Sequence, residues 1–398
     1  MYKKNIIICL ILAFYIGTPY VAEADVPTDI QSQVVTLEQT NDIVAQQQSV
    51  DNTLIRIKPE ETPPLIDIKK EPKEINLHAD DNIFNYDFKK TFKTGIIKDV
   101  KLVGGHDFAY NGFIQSDGVS HNLIDNRTSL WGIQGHLRDD TIYNFTMIPF
   151  MNATGYPDFQ NRLFEYYLRK KVGKHHTVTV GQQRTPNTVE GCRSVFGLPV
   201  GRRAQLGNTY SNICSIGTRI NGDWDYFEYD LGVFDTGRFL QSTFQSAPEF
   251  AGLISVKPIK NTAKYGKLRV GGGYNGGKRE TSYGVYSTHL LYDYKKAHMD
   301  FEYAFANGYN GRSISSNKSD SFYTTFIYKL TPKIEPFCRI DTLNANTSIS
   351  GQRNTEYTIG THYYLKGRKA RFTVSYIYAN HESRPDSNKL FTMFEVLL

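Results

Sequence analysis

Polar and hydrophobic positions alternate along most of the chain beyond residue 100. In the stretch KARFTVSYIYANH at 369–381, every second residue is apolar or aromatic and most residues between are polar, with Ile377 as the one misfit. A period of two is that of a β-strand with one apolar and one polar face. The stretches WDYFEYDLGVF at 224–234 and MDFEYAF at 299–305 repeat the pattern.

This alternation predicts sixteen strands from about residue 101 to the C-terminus. Their approximate ranges are 103–115, 128–138, 141–151, 162–171, 174–183, 212–221, 224–234, 249–258, 264–274, 281–294, 296–307, 319–330, 333–342, 353–365, 369–380 and 388–398.

The connections between these strands alternate in length. Those that follow even-numbered strands are mostly tight, such as GD, KK and KGR, whereas those that follow odd-numbered strands are mostly long, up to the stretch at 184–211. Short turns at one end and long loops at the other are typical of outer-membrane barrels. A soluble sandwich with Greek-key connections gives no reason for this alternation.

The composition of the polar face of each strand indicates whether its apolar face points into a protein core or out to lipid. Most of the strands have the same half-polar, half-aromatic character, and their polar faces include charges that a packed protein interior does not tolerate without partners. Both faces are in a suitable environment if the apolar face points to lipid and the polar face surrounds water. Closing the sheet into a barrel also leaves no backbone edge unpaired in hydrocarbon. We therefore predict an all-β fold: a sixteen-stranded antiparallel transmembrane β-barrel with an N-terminal periplasmic or disordered extension. A mean hydropathy of −0.44 fits such a barrel, because only half of each strand faces lipid.

The N-terminal region differs from the rest of the chain. A basic MYKKN, an apolar IIICLILAFYIG and a small-residue AEA predict a signal peptide at 1–24, with an uncleaved membrane anchor as the alternative. Residues 25–95 are rich in Gln, Glu, Lys and Pro and are predicted to form a linker, a disordered segment or a short coiled coil. The barrel domain is assigned to residues 96–398.

Three cysteines lie in the predicted barrel, namely Cys192, Cys214 and Cys338. Their spacing fits no zinc pattern, so no metal or cofactor is expected. A Cys192–Cys214 disulfide in an oxidising compartment and three unpaired thiols are both consistent with the sequence.

Two segments and the C-terminal strand resemble the phosphate-selective porin O and P family of Gram-negative outer membranes. The segments are FEYYLRKKVGKHHTVTVGQQRTP at 164–186 and YTIGTHYYLKGRKARFTVSYIYANHE at 357–382, and the chain ends on KLFTMFEVLL. The resemblance implies a homotrimer of sixteen-stranded barrels, each with its own pore and a long inward loop. In this sequence Gly181, Gln182, Arg184 and Pro186 stand where that family's strand leads into the loop. Outer-membrane barrels often end on an aromatic residue, and Leu398 departs from that pattern.

The charge of the predicted barrel is positive. The whole chain carries +6, of which the signal peptide contributes +1 (Lys3, Lys4 and Glu23) and residues 25–100 contribute −5, leaving +10 for the barrel. A basic lumen raises the local concentration of anions. Strand parity directs a mixed set of side chains inward: Arg138, Arg169, Lys171, Arg219, Lys267, Arg269 and Arg371, together with Glu165, Glu228, Asp230, Asp300 and Glu302. Pairing of these charges across the lumen, as structural support, is the competing interpretation for each of them.

The connection at 184–211 is the strongest candidate for a functional loop, because long loops without secondary structure of their own are usually functional or disordered. It carries Arg184, Arg193, Arg202 and Arg203 against the single acid Glu190. It also has apolar residues between 195 and 200 that are unsuited to a solvent-exposed loop. We predict that it folds into the lumen and places its arginines at a constriction, where guanidinium groups bind phosphate or carboxylate. An exposed loop or an inter-subunit loop is the alternative.

These observations predict an outer-membrane porin for passive diffusion of small hydrophilic solutes, with a mild preference for anions such as phosphate. The expected partners are outer-membrane lipid and two further copies of the chain, without nucleic acid. No nucleophile elbow and no spaced carboxylate pair occurs, so no catalytic residue and no enzyme is predicted. An outer-membrane barrel enzyme and a secreted β-rich binding protein or adhesin are the alternatives.

Overall fold

The computed structural model describes residues 89–149, 163–211, 214–235, 248–278, 282–308 and 317–397. The predicted signal peptide and residues 25–88 of the predicted linker lie outside these ranges. The last part of that linker is not a linker, because Lys89–Thr91 form a short strand against the barrel wall.

The described chain is almost entirely β-structure. In chain order the elements are β1 (Lys89–Thr91), β2 (Ile97–Gln115), β3 (Ser120–Leu137), β4 (Ile142–Met147), β5 (Leu163–Val172), β6 (His176–Arg184), α1 (Val189–Cys192), a 3-10 turn (Val195–Gly197), α2 (Gln205–Tyr210), β7 (Cys214–Asp223), β8 (Phe227–Asp235), β9 (Pro248–Val256), α3 (Thr262–Tyr265), β10 (Lys267–Lys278), β11 (Ser282–Tyr294), β12 (Ala297–Asn307), β13 (Lys318–Tyr328), β14 (Ile334–Asn344), β15 (Arg353–Tyr364), β16 (Ala370–His381) and β17 (Ser387–Leu397).

The strands β2 to β17 form a closed antiparallel barrel. Each pairs with the next along the chain, and β17 pairs with β2 so that Phe394 lies opposite Phe108. The sixteen-stranded fold predicted from the sequence is thereby confirmed. The strand β2 begins and the strand β17 ends at the same end of the barrel, which we call the terminal end. The short strand β1 pairs with β2 at this end, where Lys89 lies opposite Lys101.

The outer surface is apolar, as the alternation predicts. On β16, Phe372 and Tyr376 are exposed, whereas Thr373 and Ser375 on the other face are buried in the interior. The misfit Ile377 also points inward, where it packs with three apolar groups. Exposed apolar side chains recur around the wall at Leu102, Phe108, Trp131, Leu168, Val180, Leu231, Phe250, Ile254, Tyr286, Phe326, Ile359 and Leu390.

One predicted long connection is wrong. The connection after β2 spans only 116–119, because β3 begins at Ser120 and stays paired with β2 from that residue onward. The first two strands therefore extend well beyond the 9–11 residues that a membrane crossing needs. Within the described parts of the chain, no helix is long and apolar enough to cross a membrane.

Candidate functional site

The connection between β6 and β7 lies inside the barrel. Its described part, 185–211, contains α1, the 3-10 turn and α2, and we call it the inner loop. Phe196, Leu198, Val200 and Leu206 are each at most 4% exposed. Such side chains leave water only if the loop folds against the wall, and burial of each stabilises that arrangement by about 1.5–3 kcal/mol.

The apolar side chains of the inner loop pack on widely separated strands. Leu206 and Tyr210 of α2 join a cluster with Val285 and Tyr323 on β11 and β13. Phe196 packs with Leu130, Phe164, Cys214 and Leu397, and Val200 packs with Ile327 and Phe337. At Gly105 of β2 an added Cβ would lie 2.8 Å from a ring carbon of Phe196, so the missing side chain makes room for this ring.

Carboxylates of the wall accept hydrogen bonds from the N-termini of both loop helices. Glu302 of β12 accepts from the backbone N–H groups of Val189 at 2.6 Å and Glu190 at 3.2 Å. Asp341 of β14 accepts from the N–H of Gln205 at 2.8 Å. The first N–H groups of a helix have no partner within the helix, and a negative charge there is favourable. Carboxylates of the wall therefore supply the hydrogen-bond acceptors for the N-terminal N–H groups of these two helices.

Buried ion pairs hold the same helices. Arg193 donates to Asp300 of β12 at 2.5 Å, and both side chains are at most 3% exposed. Arg339 of β14 donates to Glu190 at 2.5 Å. Arg203 donates to the carbonyl oxygens of Glu190 and, at 2.6 Å, of Arg193. These guanidinium groups are engaged in holding the loop together and to the wall.

Further donors of the wall reach carbonyl oxygens of the inner loop. His362 of β15 contacts the oxygen of Pro199 at 2.7 Å. Arg371 of β16 donates to the oxygen of Leu198 at 3.2 Å while also pairing with Glu395 at 2.8 Å. Together with the helix contacts, these bonds fix the loop to β12, β14, β15 and β16.

Arg202 differs from the other arginines of the inner loop. Its side chain is 31% exposed, lies 4.0 Å from Glu356 and sits over the ring of Phe391 at 5.7 Å. Lys389 of β17 pairs with the same Glu356 at 3.0 Å. Two cations thus share one carboxylate, which leaves an excess of positive charge beside solvent.

The opposite wall, from β5 to β10, carries a second charged surface that we call the ion-paired wall. Its side chains are partly exposed, between 12% and 24% for Arg219, Asp230, Arg269, Glu228 and Lys257. Arg219 makes a two-pronged contact with Asp230. Arg269 and Lys257 both pair with Glu228, at 3.2 and 3.0 Å.

The predicted site residues fall into three groups. Arg193, Arg203 and Arg371 are buried in contacts of the inner loop, and Arg184 pairs with Glu165 at 3.2 Å over the ring of Phe164. Arg169, Arg269 and Arg202 have partly exposed side chains, with Arg169 donating to Thr179 at 3.1 Å. Lys171 and Lys267 are exposed where β5 ends and β10 begins.

Arg138 does not face the lumen as its parity predicts. The strand β3 ends at Leu137, and the Arg138 guanidinium donates to the carbonyl oxygens of Gly95 at 2.6 Å and Phe92 at 3.1 Å. Arg138 thereby bonds the segment between β1 and β2 to the rim of the barrel. The parity prediction failed here because side chains alternate between inward and outward only within the strand, and β3 ends one residue earlier.

Several residues of the site were missed from the sequence. Arg339, Asp341 and Glu356 of the wall are all buried partners of the inner loop. The period of two on β14 places Arg339 and Asp341 on one face, so parity does indicate their inward direction. Their partners lie more than a hundred positions away, and no local pattern indicates such pairing.

The cysteines do not form a disulfide in the described chain. Cys192 and Cys214 are buried and Cys338 is exposed. Burial raises the pKa of the Cys192 thiol to about 11. Among the described residues, no group of three or more potential ligands is arranged to hold a metal ion.

The fold is similar to that of solved outer-membrane proteins. The outer membrane channel DcaP of Acinetobacter baumannii matches with a TM-score of 0.55 at 12% identity, over 78% of this chain and 99% of that one. In-vitro folded OmpT of Vibrio cholerae matches at 0.54 and 13%, over 77% and 100%. The anion-selective porin from Comamonas acidovorans matches at 0.52 and 12%, over 75% and 99%. Neither a protein-family model nor a curated protein sequence matches the chain.

Identities this low show the fold alone. That fold, with its apolar outer surface, is that of an integral outer-membrane β-barrel, and it is the architecture of porins.

The exclusion of an enzyme, made from the sequence, does not stand. Three structures of OmpT, an outer-membrane protein, are among the matched barrels, with TM-scores between 0.52 and 0.54. A fold hosts many unrelated functions. The barrel architecture therefore gives no ground for excluding a catalytic activity.

Proposed function

We propose that the chain is an outer-membrane channel for the passive diffusion of small hydrophilic solutes, with a preference for anions. The observation that carries the proposal is the position of the inner loop inside a closed barrel. The loop is fixed to β12, β14, β15 and β16, and the partly exposed ion-paired wall from β5 to β10 stands on the other side. A solute that passes between the loop and this wall would meet the partly exposed charged side chains of Arg219, Asp230, Arg269 and Glu228.

The proposed anion preference comes from the wall rather than from most of the loop. Arg193 is paired with Asp300 and Arg203 donates to backbone carbonyl oxygens, so both guanidinium groups are buried within the contacts of the loop. Among the partly exposed charged side chains of this wall, the four bases Arg169, Arg219, Lys257 and Arg269 stand against the three acids Glu165, Glu228 and Asp230. Arg202 and Lys389 around Glu356 add a further positive excess. Fixed positive charge lowers the entry barrier for anions and raises it for cations.

Phosphate is the proposed solute within this class, as the resemblance to the phosphate-selective porin O and P family implies. Arginine suits this ion because its planar fork donates two parallel hydrogen bonds. By the same resemblance we propose a homotrimer, to be tested by light scattering of the detergent-solubilised protein, where a clean monomer contradicts it.

The test of the anion preference is the zero-current potential of the reconstituted protein in a KCl gradient. The wild-type pore is expected to favour chloride, and the double variant Arg169→Gln/Arg202→Gln is expected to reduce that preference. The difference should shrink in concentrated salt, because the screening length falls from about 10 Å at 0.1 M to about 3 Å at 1 M. The control is Arg353→Gln, since Arg353 is exposed at the start of β15.

Three results separate the parts of the proposal. A protein that folds without conducting contradicts the channel, and a cation preference contradicts the anion part alone. Phosphate that leaves the chloride current unchanged at millimolar concentration contradicts phosphate as the solute.

A further inference from the structure

The turns at the terminal end of the barrel carry an uneven distribution of charge. From β9 to β16, four successive turns contain nine basic residues and no acidic residue: PIKNTAKYG at 258–266, KK at 295–296, KLTPK at 329–333 and LKGRK at 365–369. We call this the basic sector. Most residues of these turns are exposed.

The remainder of the same rim is different. The turn between β3 and β4 contains acidic residues that pair with nearby lysines: Lys98 at the start of β2 pairs with Asp140 at 2.6 Å, and Lys170 near the end of β5 pairs with Asp139 at 2.6 Å. Lys257, just past β9, reaches across to Asp223 of the neighbouring turn. The described short connections at the opposite end, 116–119, 345–352 and 382–386, contain one base and three acids. Among the described turns, those of the basic sector form a run of four in which bases recur without any acidic residue.

Aromatic and aliphatic side chains are interleaved with these bases. Lys264 lies over the ring of Tyr265 at 4.9 Å, and Lys295 lies over the ring of Tyr294 at 5.0 Å. Tyr265, Leu330 and Leu365 are each 53% exposed. Tyrosine rings in such positions have one apolar and one wet side, and lysine stems lie along apolar surface while their ammonium groups reach water.

The basic sector also continues the lipid-facing surface. Tyr328 at the end of β13 shares the outward face of that strand with Phe326, and both are exposed. The bases therefore lie where the apolar belt of the barrel meets water. The lipid headgroups lie at this level of a membrane, and clusters of Lys and Arg there attract anionic lipid.

We propose that the basic sector binds the phosphate groups of anionic phospholipids in the adjoining leaflet. Charge complementarity and continuity with the lipid-facing belt argue for lipid, because an acidic soluble partner gives no reason for the exposed aromatic rings. The proposal does not depend on the channel function, since it concerns the outer rim and not the lumen.

The experiment is native mass spectrometry of the full protein released from detergent that contains equal amounts of phosphatidylglycerol and phosphatidylethanolamine. The measured quantity is the enrichment of phosphatidylglycerol among the lipids that remain bound. The test variant is Lys295→Gln/Lys296→Gln/Lys329→Gln/Lys333→Gln. The matched control neutralises four exposed lysines near the same rim: Lys98→Gln/Lys170→Gln/Lys171→Gln/Lys174→Gln. A third variant carries Arg at the four test positions.

The wild type is expected to retain phosphatidylglycerol preferentially. In the test variant, the enrichment of phosphatidylglycerol should be lower by a factor of at least about ten. The control and the arginine variant should retain most of it. Equal enrichment in the wild type and the test variant overturns the proposal, as does an equal loss in the control. Binding of fluorescent polyglutamate without any lipid enrichment also overturns it, in favour of an acidic partner.

Folding of each variant is checked by heat-dependent gel migration. If the fourfold variant does not fold, the pairs Lys295→Gln/Lys296→Gln and Lys329→Gln/Lys333→Gln are measured separately. Each pair should lose part of the enrichment, and no loss in either pair contradicts the proposal.

Discussion

Arg339 connects two parts of the inner loop to the wall, and its replacement by methionine should release the loop. The Arg339 side chain is 3% exposed and donates to Glu190 at 2.5 Å, to the carbonyl oxygen of Arg202 at 2.9 Å and to Thr325 at 2.8 Å. Methionine fills a similar volume without any of these donors. The Glu190 carboxylate, which is fully buried, then keeps only the N–H of Ala204 at 2.6 Å among the contacts described.

The size of the effect follows from the burial of this pair. Removing one partner of a buried ion pair costs about 3–5 kcal/mol, because the other charge remains in a poorly solvated site. Since about 1.4 kcal/mol corresponds to a factor of ten in an equilibrium constant, the undocked population of the loop should rise by about 10² to 10⁴.

Limited digestion with trypsin measures this population, because the inner loop contains Arg193, Arg202 and Arg203. In the folded wild type these sites are held against the wall, and in Arg339→Met they should be cleaved faster while the barrel itself stays folded. The control Arg353→Met removes an exposed arginine from β15 and should leave cleavage unchanged.

The double variant Glu190→Gln/Arg339→Met separates buried charge from lost packing. Without the carboxylate charge, the desolvation penalty disappears, and cleavage should return toward the wild-type rate. If the single variant resists trypsin as well as the wild type does, Arg339 does not hold the loop. If the double variant is cleaved as fast as the single variant, the unpaired charge is not the cause.

Three further predictions concern single residues. Maleimide in neutral buffer should spare Cys192 in the folded barrel, because this thiol is buried and its pKa is raised to about 11, and should modify it once the protein is unfolded; peptide mass spectrometry that finds Cys192 modified in the folded barrel contradicts its burial. Gly181→Ala should lower the free energy of unfolding, measured by urea titration, by about 1–3 kcal/mol, because the φ angle of Gly181 is 130° and an added Cβ would lie 2.3 Å from the carbonyl oxygen of Tyr166; an unchanged urea midpoint refutes this strain. Tyr210→Phe loses a hydrogen bond to Ser319 and should cost about 1 kcal/mol in the same titration, whereas a stabilised protein would contradict it.

The strands were predictable because lipid and water impose the same alternation on each of them. The predicted range 369–380 became Ala370–His381, and 281–294 became Ser282–Tyr294. The extent of the first strand was not predictable, because β2 continues to Ile97 through its pairing with β1 and β3, beyond the membrane-spanning part. Local alternation reports where a residue faces and gives no information about where pairing stops.

The site was predictable only in outline. The apolar residues Phe196 and Leu198 correctly indicated a loop that leaves water, since their burial requires a surface to pack on. The roles of its arginines were not evident, because a guanidinium group at a constriction and one in a buried ion pair look the same in sequence. Arg193 became a partner of Asp300 through the closure of the barrel, which brings together residues that are far apart in the chain.

The most direct test of the account is the single-channel conductance of the protein with and without the inner loop. Residues 189–210 would be replaced by a short Gly-Ser linker, and heat-dependent gel migration would establish that the barrel still folds. The wild type is expected to open in discrete steps in a planar bilayer, and the loop-deleted barrel to open in steps at least about twofold larger, because the loop then no longer narrows the path. Equal step sizes in the two proteins would contradict a loop that bounds the channel, and a folded wild type without steps would contradict the channel itself.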